Sequence, residues 1–319
     1  MTGVEIGLYI EAQEGVTWQD WRQLARNTEE LGFDALVSSA HLRSLQAPGR
    51  WALDLWPLMT AIALWTQRIR FGPMVLPITF YHPAQIARLS ASVDRLSGGR
   101  FRLRLGAGRD SGEHQAFGLA FPEHDERVDM LGEALEVIRL LWSGEPVSFA
   151  GTWYRLEEAQ LQPTPEHRWI GTAGDSEPSL RVAASRADEW CTTGPSGEEL
   201  RQRMEQLDAL AHQAGRNPRD IERSVMNGVL VGRDEAELEH RAGRLAVLIP
   251  EFTGQAPEAI LEQLAEEWQW WIGKPEQVAE QVRKVRRAGV DQIFFQLFDF
   301  TDLQALQLLA QTVMPAVRP

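Results

Sequence analysis

Strand-like and helical runs alternate eight times along this chain, and that alternation restricts the fold more than any other feature. The clearest unit spans Ile69 to Gly118. Ile69-Arg-Phe-Gly-Pro-Met-Val-Leu-Pro77 reads as a strand ending in proline, Pro83 to Ser97 as a helix, and Gly98-Gly99-Arg100 as a tight turn. A second strand-like run, Phe101-Arg-Leu-Arg-Leu-Gly106, leads into Gly106-Ala-Gly108, with Glu113 and Gly118 beyond. Strand, helix, turn, strand and glycine-bearing loop make one βαβ unit, whose functional groups belong at the C-terminal strand ends.

The other strand-like runs are Val4–Ile10, Ala35–Ser38, Arg168–Thr172, Glu189–Thr193, Arg223–Val231 and Gln292–Phe298. Helical spacing separates them. Val128, Leu131, Leu135, Ile138 and Trp142 recur at three, four, three and four residues, and so do Leu303, Leu306, Ala310, Val313 and Val317. Two stretches depart from the alternation: a β-hairpin excursion at about 145–157 and a helical insertion at about 234–269. No low-complexity linker divides residues 1–319, so the expectation is one domain. Alternation of this kind means a parallel sheet. Eight units over this length favour an α/β fold of the closed (β/α)8 TIM-barrel type, with an insertion near strand seven.

The formal net charge of −13 argues against nonspecific binding to nucleic acid or to an anionic membrane. Lys274 and Lys284 are the only lysines, so a cationic clamp on a phosphate falls to arginine, whose planar fork suits oxyanions. The single cysteine, Cys191, excludes an intramolecular disulfide and a cysteine-rich metal site, and it reads as a small apolar packing residue. Met1 to Ile10 lacks the basic start of a signal peptide, and no apolar run approaches the roughly 18 residues of a membrane span. The expectation is a soluble cytoplasmic protein acting on a small molecule.

Several residues stand where a barrel keeps its chemistry. His41 follows strand two; there an imidazole is a general acid or base near neutral pH, or an ordinary polar loop histidine. Gly106-Ala-Gly108, with Gly112 after it, imitates a dinucleotide fingerprint, but the third glycine comes one residue late and no acid closes the following strand. These glycines instead suit a sharp turn or a close approach to a flat ligand. Glu113 lies just past that turn, as a solvated acid or as an anchor for a ligand or loop. Gly171-Thr172-Ala173-Gly174 precedes a helix start, where free N–H groups make either a phosphate seat or a plain turn. Thr192 and Thr193 after strand six share that position. Trp51 and Trp56 flank the long loop after His41, and line a cleft or pack in the core. Trp268, Trp270 and Trp271 read as packing or a subunit contact. His82, His114 and His124 make no metal-ligand spacing with nearby acids, so no metal site is expected.

Taken in order, these pieces resemble the bacterial luciferase-like family of flavin- and deazaflavin-dependent oxidoreductases. The resemblance runs through Ser39-Ala-His41-Leu42, Arg68-Ile-Arg-Phe-Gly72, Val75-Leu-Pro77, Asp94-Arg-Leu-Ser-Gly-Gly-Arg-Phe101 and Leu105-Gly-Ala-Gly108 with Glu113. It continues in Glu126-Arg127, Leu140-Leu-Trp142, Ala187-Asp188-Glu189-Trp190 and Gly273-Lys-Pro-Glu-Gln277. It implies a (β/α)8 barrel with a cofactor across the mouth, its ring against a bulge at Met74-Val75, where the family often has a non-proline cis peptide. By the same match, His41 is the active-site histidine, and Glu113 is taken as a second catalytic residue. Gly72, Gly106 and Gly108 border the cofactor, and Gly171 to Gly174 with Thr192 and Thr193 help seat its phosphate. Trp51, Trp56 and Arg109 fall to the substrate pocket, and a homodimer is implied.

The resemblance implies coenzyme F420 or FMN as the cofactor. Members using F420 tend to carry Asp-His-Leu after strand two, and FMN members Glu-His-His; this chain has Ala40-His41-Leu42. The leucine leans toward F420, but the acid is missing. Thr192-Thr-Gly-Pro-Ser-Gly-Glu-Glu-Leu200 also resembles the deazaflavin-dependent sugar-phosphate dehydrogenases, yet Arg109 replaces their catalytic glutamate and their phosphate-binding lysines are absent. The leading expectation is F420-dependent hydride transfer. An FMN-dependent monooxygenase, fed by a flavin reductase and using oxygen, is the first alternative. A cofactor-free, non-catalytic member is the second, suggested by Ala40 and Arg109.

Overall fold

The computed structural model describes residues 3–194 and 197–318. Its strands are β1 (Glu5–Ile10), β2 (Ala35–Ser38), β3 (Arg70–Pro73), β4 (Leu76–Pro77), β5 (Leu103–Gly106), β6 (Val147–Ala150), β7 (Arg155–Ala159), β8 (Ile170–Ala173), β9 (Glu189–Thr193), β10 (Glu222–Val231), β11 (Trp271–Gly273) and β12 (Gln292–Leu297). The main sheet is parallel in the order β3-β2-β1-β12-β10-β9-β8-β5-β4. β3 and β4 are one stave interrupted at Met74–Val75, whose peptide bond is cis. A parallel bridge between Phe71 and Phe101 ties β3 back to the start of the β5 stave and closes the ring. The fold is therefore the (β/α)8 barrel that the alternation implies.

Local chemistry sets where each helix begins and ends. The helix Pro83–Ser97 starts with proline at its first turn, where no N–H is needed. The His82 ring accepts the Ala84 N–H at 3.2 Å, and Gly98 ends the helix in the left-handed conformation, φ +68°. Its inner face presents Ile86, Ala87, Ala91 and Val93 to the core; burying Ile86 alone contributes roughly 1.5–3 kcal/mol. Trp142 Nε1, from the end of the next long helix (His124–Leu141), donates to the Ala87 carbonyl at 3.0 Å.

The excursion after that helix is an antiparallel pair, β6 with β7. The stretch after β10 holds two helices, Glu235–Leu248 and Pro257–Glu266, packed on their own apolar cluster. Two elements go beyond the sequence reading. β11 pairs with the end of β10, and Trp270 lies over Gly228, where a Cβ would stand 2.0 Å from the indole. Three residues are too few to show a strand period. The other is a short helix, Ser111–Phe117, which carries Glu113.

The barrel interior is polar at its N-terminal end. Arg104 Nε donates to Glu189 Oε2 at 2.6 Å and its Nη2 to Gln292 Oε1 at 3.1 Å. Gln292 Nε2 in turn donates to Glu222 Oε2 at 2.6 Å. Arg104 and Glu189 are both buried, and this pairing lets two charges sit inside an apolar shell.

Candidate active site

The C-terminal strand ends surround a cavity of about 510 Å³. Tyr9 comes from β1, Ala40 and His41 follow β2, and Met74 and Val75 form the break between β3 and β4. Gly106 ends β5 and Ala107 to Asp110 follow it, Ala173 ends β8 and Gly174 and Asp175 follow it, and Cys191 to Thr193 belong to β9. Each residue is positioned by a stave of the closed sheet, which is why groups distant in sequence meet here.

His41 and Glu113 form the central pair. Glu113 is 1% exposed, and its Oε2 lies 3.0 Å from His41 Nδ1. Its Oε1 accepts the Leu42 N–H, and its own N–H donates to Asp110 Oδ1, the cap of the short helix. A carboxylate can only accept, so Nδ1 carries the imidazole proton and the ring is oriented by Glu113. Burial pushes the His41 pKa down. The hydrogen bond and the charge of Glu113, with the charge of Glu11, outweigh burial and hold it above its ordinary value; Arg109 opposes them least. His41 Nε2 makes no hydrogen bond among the described residues.

A second pair buttresses the glycine loop. His114 Nδ1 faces the Asp110 carbonyl at 2.6 Å, so it donates there, and Nε2 lies 2.6 Å from the Thr79 hydroxyl. Phe80 and Phe121 flank the His114 ring at 5.0 and 4.5 Å, and the Arg127 guanidinium lies 3.7 Å from the Phe121 centroid. Arg127 donates to the carbonyls of Ala107 at 3.2 Å, of Gly108 at 3.4 Å and of Pro122. The loop is thus pinned from behind. Gly108 has φ +83°, where glycine avoids a Cβ clash. At Gly106 an added Cβ would stand 2.5 Å from Val75 Cγ2, so the glycine lets the interrupted stave close on β5.

On the opposite side, Asp175 precedes the helix Glu177–Arg186. Its Oδ1 accepts from the Thr192 hydroxyl at 2.7 Å and its Oδ2 pairs with Arg203 Nη1 at 2.8 Å. Deeper in, burial and then Glu11 push the Tyr9 phenol well above its usual range, so it is a neutral donor. Gln13 and Gln296 donate to Glu11 at 2.8 and 2.9 Å.

The family model described as luciferase-like monooxygenase matches residues 3–292. The chain belongs to the luciferase-like monooxygenase family. An F420-dependent glucose-6-phosphate dehydrogenase of Kribbella flavida is 32% identical, over 90% of each chain. An FMNH(2)-dependent dimethylsulfone monooxygenase of Pseudomonas fluorescens is 26% identical, over 98% of this chain and 91% of that one. Among solved structures, an F420-dependent secondary alcohol dehydrogenase in complex with an F420–acetone adduct superposes with a TM-score of 0.82 at 21% identity, covering 100% of both chains.

Within this luciferase-like barrel, His41, Met74, Val75, Gly106, Gly108, Arg109, Glu113, Ala173, Gly174, Thr192 and Thr193 all line the one cavity. Five other residues expected there do not. Gly72 lies in the wall, where a Cβ would stand 1.9 Å from the Arg102 carbonyl oxygen; it serves the close approach of two staves. Gly171 faces the buried ion pair, with Glu189 Oε2 2.4 Å from an added Cβ, and makes room for it. Thr172 is buried beside it, its hydroxyl without a partner among the described residues. Trp56 is 7% exposed and packs on Tyr81 and Phe101 at 6.3 and 6.2 Å. Trp51 is 58% exposed, on the loop but outside the cavity. Thr192 keeps its place, but its hydroxyl is engaged by Asp175 and by Arg203 at 3.1 Å. Pro195 and Ser196 of the Thr192–Leu200 resemblance lie outside the described residues. The sequence reading missed Tyr9, Asp175, Arg127 and Arg203. Tyr9 sits in an apolar strand without a marker, and Arg127 was legible only as part of the Glu126-Arg127 motif.

Proposed function

We propose that this chain is an oxidoreductase that uses coenzyme F420 to move a hydride to or from a small organic substrate. The observation that carries the reading is the His41–Glu113 pair at the edge of a cavity bordered by backbone and small residues. Those borders suit a flat ring system. Met74, Val75, Gly106 and Ala107 would hold the ring, and Ala173, Gly174 and Thr193 the phosphate-bearing tail. The charge of Asp175 at that helix start is matched by Arg203, which leaves no unpaired carboxylate to repel a phosphate.

Bound F420 supplies the hydride-transfer centre; the protein supplies position and a proton. His41 Nε2 is the free nitrogen, so it is the atom that gives or takes the substrate proton. Glu113 keeps the tautomer fixed and stabilises the imidazolium that forms on proton uptake. Tyr9 stays neutral and offers only a hydrogen bond.

Fluorescence titration of the purified protein with F420 and, separately, with FMN tests the reading. Tight binding of F420 alone is expected. Tight binding of FMN alone would replace the reading with an FMN-dependent monooxygenase that needs a flavin reductase and consumes oxygen, in keeping with the dimethylsulfone monooxygenase relative. Binding of neither would point to a cofactor-free member. His41→Ala is expected to keep cofactor binding and lose most turnover. Glucose 6-phosphate is expected to be inert, because Lys274 and Lys284 are the only lysines and neither borders the cavity. Among the described residues, no helix is long and apolar enough to cross a membrane. The reading is completed by a cytoplasmic homodimer, checked by light scattering and fractionation.

A further inference from the structure

Arg109 borders the same cavity as His41, directly after the turn at Gly108. Its guanidinium makes no hydrogen bond and no ion pair among the described residues. Other charged side chains around the cavity have partners of their own, and Glu11 accepts from Gln13 and Gln296. Arg127 is spent on three carbonyls, and Arg203 on Asp175, Glu199 and Thr192. Glu113 is held by His41 and Leu42, and Asp175 by Thr192 and Arg203. Asp110 caps the Glu113 N–H and lies 3.9 Å from Arg43. No carboxylate forms an ion pair with Arg109 among the described residues. Arg109 is close enough to His41 and Tyr9 for its charge to act on both, although the charge of Glu11 acts on the same His41 and Tyr9. The site therefore holds one guanidinium without a hydrogen-bond or ion-pair partner among the described residues, in the cavity that its proton-transfer residue borders.

We infer that Arg109 binds a carboxylate carried by the substrate, so that the enzyme acts on an anionic organic acid. A planar fork with parallel N–H groups matches the two oxygens of a carboxylate. One cation balances one negative charge, and among the described residues bordering the cavity no second uncommitted arginine is present for a dianionic phosphate. This inference rests on the oxidoreductase reading for the reaction, but not for the binding. The other source of an oxyanion is the cofactor's own phosphate, which is assigned above to the Gly174 side of the cavity.

Saturation-transfer NMR with benzoate and with its neutral isostere benzamide tests the inference, in the wild type, Arg109→Gln and Arg109→Lys. Thermal melting of each variant serves as the folding control. The wild type is expected to bind benzoate at least tenfold more tightly than benzamide. Arg109→Gln should remove that preference, and Arg109→Lys should restore part of it. Benzoate binding that is absent, or unchanged in Arg109→Gln, would overturn the inference. A second arm repeats the titration on protein saturated with F420. Retained benzoate binding, with F420 affinity unchanged in Arg109→Gln, assigns the carboxylate to the substrate. Displacement of benzoate by F420, with a tenfold loss of F420 affinity in the variant, would give Arg109 to the cofactor instead. Failure of F420 to bind at all would remove the cofactor reading, while the first arm still decides the role of Arg109.

Discussion

His41 Nδ1 and Glu113 Oε2 stand 3.0 Å apart although 72 residues separate them in the chain. The pair joins the end of one stave to the short helix after another, and it controls the proton chemistry of the site. Glu113→Gln is expected to lower the His41 pKa, because it removes the charge that outweighs burial. The sign for stability follows. The folded-state value lies above the ordinary 6.5, so protonated His41 stabilises the fold fully below that pH. The contribution is lost as the pH rises through the folded value. Histidine NMR titration of wild type and variant checks this; identical curves would remove Glu113 from control of His41.

The glycine loop gives a second test. Gly108→Ala places a side chain at φ +83°, which costs about 1–2 kcal/mol. Gly106→Ala drives a methyl against Val75 and costs about 1–3 kcal/mol through overpacking. Both variants should bind cofactor more weakly, since both disturb the loop that Arg127 pins. Urea unfolding and cofactor titration measure the two effects separately. Lower stability with unchanged cofactor affinity would place the loop away from the ring.

Arg104 and Glu189 are buried together at the far end of the barrel. Arg104→Met leaves Glu189 without its partner and should destabilise the protein by about 3–5 kcal/mol. The double change Arg104→Met with Glu189→Leu should recover much of that loss, because it removes both desolvated charges. If the single variant unfolds at the wild-type urea concentration, the pair carries no structural weight.

The two tryptophans of the long loop should separate cleanly. Trp56→Ala removes a buried indole packed on Tyr81 and Phe101, at a cost of about 3–5 kcal/mol. Trp51→Ala, at an exposed position, should stay within about 0.5 kcal/mol of wild type. Neither indole borders the cavity, so cofactor affinity should be indifferent to Trp51. A large loss of binding in Trp51→Ala would show that the loop closes over the site.

What the sequence determined by itself was the order of things along the chain. Short strand-like runs and period-3.6 patterns are local, and they marked eight staves, most of their helices and the strand ends where His41, Gly106 and Gly174 stand. Proline, glycine and polar caps marked boundaries for the same reason, as at Pro83 and Gly98. Only the closed barrel decided which loop residues face inward, and with whom. Successive residues on a stave point to opposite sides, and the register between staves sets their depth. Thus Ala173 reaches the mouth cavity while Gly171, two positions earlier on the same strand, faces the ion pair of Arg104 and Glu189. The same closure brought Glu113 to His41 and matched Asp175 with Arg203, while leaving Arg109 without an ion-pair partner among the described residues. Those pairings depend on distances between segments far apart in the chain, which no local pattern records.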